Sequence, residues 1–192
     1  MGTKQERWRR VLARPGTVLW IAPLLALLAG APARAVELVL TAGEHDVGKN
    51  RDNPPIEGGF TLHLTGLEIW RSKSGITLVP SIGGMATEED AYYAWAGGAL
   101  FIPLGAHWGL VPELGAGYYE RGDGKNLGGS LEFRSGLEAT YRANDSVRIG
   151  VGFYHLSNAG FHDVNPGVNS LLLTFGFEPR ARSRVWDTRG LR

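Results

Sequence analysis

The chain has 192 residues, a formal net charge of +1, 28 glycines and no cysteine. This length allows one domain with or without a targeting segment, and the absence of cysteine excludes a disulfide framework or a thiolate metal site. A nearly neutral chain offers no bulk electrostatic attraction to nucleic acid, so none is expected as a partner.

Residues 1–35 read as a cleaved signal peptide. Lys4, Arg7, Arg9, Arg10 and Arg14 precede an apolar run from Leu19 to Leu28, and Ala33 and Ala35 give the small-x-small pattern of a signal peptidase site. The run is shorter than the roughly 20 residues that a membrane-spanning helix needs.

From Val36 onward the recurring signal is alternation at period two, the mark of strands. Eight such runs are predicted: Val36–Ala42, Phe60–Trp70, Gly75–Gly84, Tyr92–Ile102, Trp108–Tyr119, Leu127–Arg142, the run beginning at Val147, and Asn169–Glu178. In Phe60–Trp70 the apolar parity changes around Gly66, as a bulge would cause. Tyr92–Ile102 is apolar on both faces. The pattern is clearest in Leu127–Arg142, where Leu131, Phe133, Leu137 and Tyr141 share one parity and Glu132, Arg134, Glu138 and Arg142 the other.

The connections alternate between short (71–74, 103–107, 143–146) and long (43–59, 86–91, 120–126, 159–168), the habit of outer-membrane barrels. Such a barrel turns its apolar face to lipid and its polar face to the lumen, whereas a soluble lipocalin-like barrel does the reverse; pattern alone leaves both open. Charges of both signs on the polar parity (Glu37, Glu113, Glu132, Arg134, Glu138, Arg142, Arg148) favour the membrane form, since they can pair in a narrow lumen. So do Trp70, Tyr92, Tyr93, Trp108, Tyr118, Tyr119 and Tyr141 near strand ends, where a girdle would lie. The expectation is an all-β, eight-stranded antiparallel outer-membrane barrel over 36–178. The basic, non-periodic tail 179–192 is expected to be an unstructured periplasmic extension.

His155 and Ser157 continue the lipid-facing row of Val147, Ile149, Val151 and Phe153. Asn169 opens the matching row of Leu171, Leu173, Phe175 and Phe177 on the last strand. Three polar side chains at the long-loop end of two neighbouring strands, on a face that should touch lipid, need a reason. One is contact with headgroups. The other is acyl transfer, in which a serine nucleophile, a histidine base and an orienting group act together.

His155-x-Ser157-Asn158-Ala159-Gly160, followed by Asn165-x-Gly167, resembles the signature of the PagL-type lipid A 3-O-deacylases. Asn126-Leu127-Gly128-Gly129-Ser130-Leu131-Glu132-Phe133 resembles that family's sixth strand. The resemblance implies a calcium-independent serine esterase in the outer membrane of a Gram-negative bacterium. It would use no cofactor or metal, would remove the acyl chain at position 3 of lipid A, and would present its site to the outer leaflet. It implies Ser157 as nucleophile, His155 as base, backbone amides around Asn158 and Gly160 as oxyanion donors, and Asn165 as loop support. One position departs: where the family carries Glu, fourteen residues after the histidine, this chain has Asn169. Three outcomes follow from that departure. Asn169 orients His155 in a working esterase, Asp163 supplies the carboxylate instead, or the chain is a weakened or inactive relative. A non-catalytic small barrel is the reading outside this class. Lys49, Arg51, Arg121 and Lys125 are loop cations that could meet lipid A phosphates. The expected partners are lipopolysaccharide and the outer membrane, with a homodimer left open.

Overall fold

A computed structural model describes residues 36–48, 53–178 and 184–186; the expected leader 1–35 lies outside these. Nine strands follow in chain order: β1 (Glu37–His45), β2 (Ile56–His63), β3 (Trp70–Arg71), β4 (Thr77–Thr87), β5 (Tyr92–Leu104), β6 (Trp108–Glu120), β7 (Leu131–Arg142), β8 (Val147–Ser157) and β9 (Val168–Phe177). Neighbours pair antiparallel in the order β2-β1-β9-β8-β7-β6-β5-β4-β3, and β2 also pairs with β4. That last pairing joins eight strands into a closed barrel, with two-residue β3 attached only to β4. Closure pairs each of these eight strands with a neighbour on both sides, which is what hydrocarbon demands of a β-structure.

The parity of the sequence sets the faces. On β7, Glu132, Arg134, Glu138 and Thr140 are buried while Leu131 and Leu137 are exposed. On β8 and β9, Ile149, Val151, Phe153, Leu171, Leu173, Phe175 and Phe177 all point outward and are exposed. An outer wall of bare Leu, Ile, Val and Phe would be intolerable in water and is the expected surface of a barrel in lipid.

The lumen is packed in three layers. Nearest the long loops lies an apolar layer of Met85, Ala91, Tyr93, Trp95, Tyr119, Leu127, Leu156 and Val168. A charged layer follows. Arg148 pairs with Glu138 and, at 2.6 Å, with Glu37, whose other oxygen accepts from His63 Nδ1 at 2.8 Å. His63 also meets Glu113, and Glu113 accepts from Arg134 at 2.6 Å. The Arg134 guanidinium lies over Tyr154 (3.7 Å) and Trp95 (4.3 Å), tying this layer to the first. Removing charges from water is costly, and only a chain of pairs of this kind makes the burial tolerable. A second apolar layer closes the short-turn end: Val79, Ala99, Phe101, Val111, Val185 and Trp186.

Four expectations change. The Phe60–Trp70 run is interrupted, because Leu64 N donates to Pro80 O and Ile69 N to Leu78 O while residues 65–68 loop out between them. This is a larger departure than a one-residue bulge. β7 begins at Leu131 rather than Leu127; Leu127 is buried and belongs to a loop whose Gly128 has φ +100°. Of the expected girdle aromatics, Tyr93 and Tyr119 are buried inside the barrel. Trp70, Tyr92, Trp108 and Tyr118 are exposed, with Tyr92 against Tyr118 at one end and Trp108 against Tyr141 at the other. Finally, the tail is not wholly without structure: Arg184–Trp186 form a 3-10 turn with Val185 and Trp186 buried.

Candidate active site on the outer wall

β8 and β9 carry the site. Their antiparallel register sets His155 directly opposite Asn169, and β7–β8 register sets Ser135 opposite His155 and Phe133 opposite Ser157. Alternation along β8 turns both His155 and Ser157 outward and leaves them half-buried between fully enclosed Tyr154, Leu156 and Asn158.

His155 Nδ1–H donates to Asn169 Oδ1 at 2.8 Å. An amide oxygen can only accept, so this bond holds the proton on Nδ1 and leaves Nε2 as the basic nitrogen. Behind Asn169, its backbone carbonyl accepts from Val47 N at 3.0 Å, anchoring the loop after β1 to the start of β9. Asp163 is exposed, and the Nδ1 position that an orienting carboxylate would take is occupied by Asn169. Among the described residues no hydrogen bond joins Ser157 Oγ to His155.

The loop after Ser157 is built around Asn158. This buried side chain donates through Nδ2 to Leu127 O (2.6 Å) and Val164 O (2.7 Å), and its Oδ1 accepts from Gly160 N at 2.9 Å. Asn165 Oδ1 accepts from Asn158 N at 3.3 Å. The Gly160 amide is therefore committed within the loop, while the Asn158 amide is held only at the long limit of a hydrogen bond. Ala159 has φ +54°, an uncommon conformation for a residue with a side chain and one that clusters at functional sites.

Gly128 and Gly129 let this loop lie against the β6–β7 loop. A Cβ at Gly128 would run into Val164 O, and one at Gly129 into the His162 ring. His162 is thus a packing residue of the loop, exposed on its other side. Phe161, 70% exposed, stacks on Phe133 with ring centroids 5.6 Å apart, placing an apolar wall beside Ser157.

The sequence reading missed the part played by Gly167. Its φ is +59°, and a Cβ there would lie 2.7 Å from His155 Cε1. The Pro166-Gly167 pair is a turn signal, but nothing local reveals that the turn shelters an imidazole. Of the loop cations, Lys125 pairs with Asp46 at 2.6 Å, Arg121 is exposed, and Lys49 and Arg51 lie outside the described residues.

A closed eight-stranded barrel with an apolar outer wall defines a small outer-membrane barrel, and the polar histidine–serine–asparagine cluster on that wall is its candidate site. Residues 56–178 match the family described as lipid A 3-O-deacylase (PagL), and the chain belongs to that family. The crystal structure of the outer membrane enzyme PagL superposes with a TM-score of 0.58 at 20% identity, covering 74% of this chain and 99% of that one. A de novo designed transmembrane β-barrel (TM-score 0.47, 12% identity, covering 74% and 92%) and Ail of Yersinia pestis in a nanodisc (0.44, 13%, 74% and 100%) are more distant. No curated protein sequence matches significantly.

Proposed function

We propose that this chain hydrolyses the ester-linked 3-hydroxyacyl chain at position 3 of lipid A, through an acyl-enzyme on Ser157. The observation that carries this reading is the His155–Asn169 hydrogen bond on the outer wall. It fixes the imidazole tautomer two residues from an outward serine, at the long-loop end of β8.

In the first step Ser157 Oγ attacks the acyl carbonyl carbon and passes its proton to His155 Nε2. The carbonyl oxygen becomes an oxyanion, for which the Asn158 amide is the best-placed donor once it leaves its long bond to Asn165. Such contacts commonly tighten only when substrate is bound. The tetrahedral intermediate collapses as the carbon–oxygen bond to the sugar breaks and His155 returns the proton to the sugar oxygen. Water then attacks the acyl-serine with His155 as base, releasing the fatty acid and restoring Ser157. The Phe133–Phe161 stack offers the acyl chain an apolar support. The site faces the outer leaflet in this reading.

Asn169 favours one modification of that picture. It orients His155 but brings no charge to stabilise the imidazolium, so the reaction is slower than with a carboxylate in that place. Lipid A from cells with and without the protein, compared by mass spectrometry, tests the reading. Loss of one 3-hydroxyacyl group is expected, and its absence with Ser157→Ala. An unchanged acyl pattern, or an active Ser157→Ala variant, would overturn it.

A further inference from the structure

The inner wall at the short-turn end is apolar in a way that the charged lumen does not require. Val79 on β4, Ala99 and Phe101 on β5, and Gly109 and Val111 on β6 form one patch around the mouth of the barrel. Left open to water, such a patch would carry the cost of exposed hydrocarbon.

Trp186 covers it. Its ring meets Phe101 edge to face with centroids 5.0 Å apart, and it occupies the space that a Cβ on Gly109 would need. Val185 beside it is fully enclosed. Arg142, at the end of β7, donates from Nη1 to Trp186 O at 3.3 Å. Phe101 in turn packs edge to face on His63 at 5.1 Å, so one stack of rings runs from the tail to the buried charges. The fit is specific: an indole fills the space beside Gly109, where the inner wall of β6 has no side chain.

We infer that the inner face of β4–β6 at the short-turn end is a docking surface for this chain's own C-terminal segment, and that Val185 and Trp186 stopper the barrel and keep the charged layer dry. The segment follows β9, yet docks on strands across the barrel from it. It therefore also ties the last strand to the far wall. This inference does not depend on the esterase reading.

The absence of native cysteine makes the test direct. In the purified full-length protein in detergent micelles, an Ala99→Cys reporter should react slowly with a water-soluble thiol reagent. Adding Trp186→Ala should speed that labelling several-fold or more. Gly109→Ala should do the same with the tail sequence intact, because its methyl takes the place of the indole. Combining the two should add nothing further. A Met85→Cys reporter in the layer near the long loops should keep its rate throughout, and heat-modifiable gel migration should show that the barrel is folded. If Trp186→Ala does not fold, the Gly109→Ala comparison decides alone. Labelling of Ala99→Cys at one rate in all backgrounds would overturn the stopper. So would equal acceleration at Met85→Cys, which would mean general opening instead.

Discussion

Gly167 and His155 are shaped to each other: a methyl group on the glycine would fall 2.7 Å from the imidazole Cε1, well inside contact distance. The loop that brings Asn169 into position thus has to pass over the ring without a side chain, in a left-handed conformation at φ +59°. Gly167→Ala should displace His155 from Asn169 and add backbone strain of about 1–3 kcal/mol. Deacylation of lipid A in mixed micelles should fall at least tenfold, each 1.4 kcal/mol being about that factor. Gel migration of the folded barrel should be unchanged, and unaltered turnover would remove Gly167 from the site.

Asn169 invites the opposite experiment. Asn169→Glu supplies the missing negative charge beside His155 Nδ1 and should raise kcat. In a serine protease the corresponding Asp-to-Asn exchange costs about 10⁴, which bounds the gain from above. Asn169→Leu removes the acceptor, frees both tautomers and should lower kcat. If the two variants turn over at the same rate as the parent, Asn169 does not orient the base.

Asn158 holds two loops with one side chain. Asn158→Ala leaves Leu127 O and Val164 O without their donor and Gly160 N without its acceptor. At about 1 kcal/mol for each lost bond, or more where the orphaned group stays buried, the loop over 158–167 should open. Limited proteolysis should then cut within 158–167 in the variant and not in the parent, with activity lost and the barrel still folded.

Arg148 is the hub of the buried charges, shared between Glu37 and Glu138. Arg148→Met leaves Glu138 with the Thr174 hydroxyl and Glu37 with His63 but no guanidinium for either, and breaking a buried pair in this way costs about 3–5 kcal/mol. The midpoint of urea unfolding in lipid vesicles should drop accordingly. Activity of the remaining folded fraction should be preserved, because the site faces the other side of the wall.

Much of this architecture could be read from the chain. Period-two alternation, with a charged inner parity on β7, sets the β7–β9 faces, and the same alternation puts His155, Ser157 and Asn169 in outward rows. What was hidden depended on contacts remote in sequence. Leu127 continues an alternating run, but Asn158 pulls its carbonyl into a loop that buries it. Tyr93 and Tyr119 look like girdle residues because strand ends are where girdles lie; only the register shows that they share the inner parity. The apolarity of β5 on both faces is visible in the sequence, but its cause at the short-turn end is Trp186, over eighty residues further on, which covers Phe101 on the inner side.

A filled barrel is not a conduit. With three layers of side chains across its bore, traffic along its axis is blocked, and on the proposed function the substrate would meet His155 and Ser157 from the side, within the leaflet. Encounter then happens in two dimensions. The rate should follow the mole fraction of substrate in the surrounding lipid rather than its amount per volume of water, and diluting the bilayer with inert lipid should slow the protein at constant total substrate.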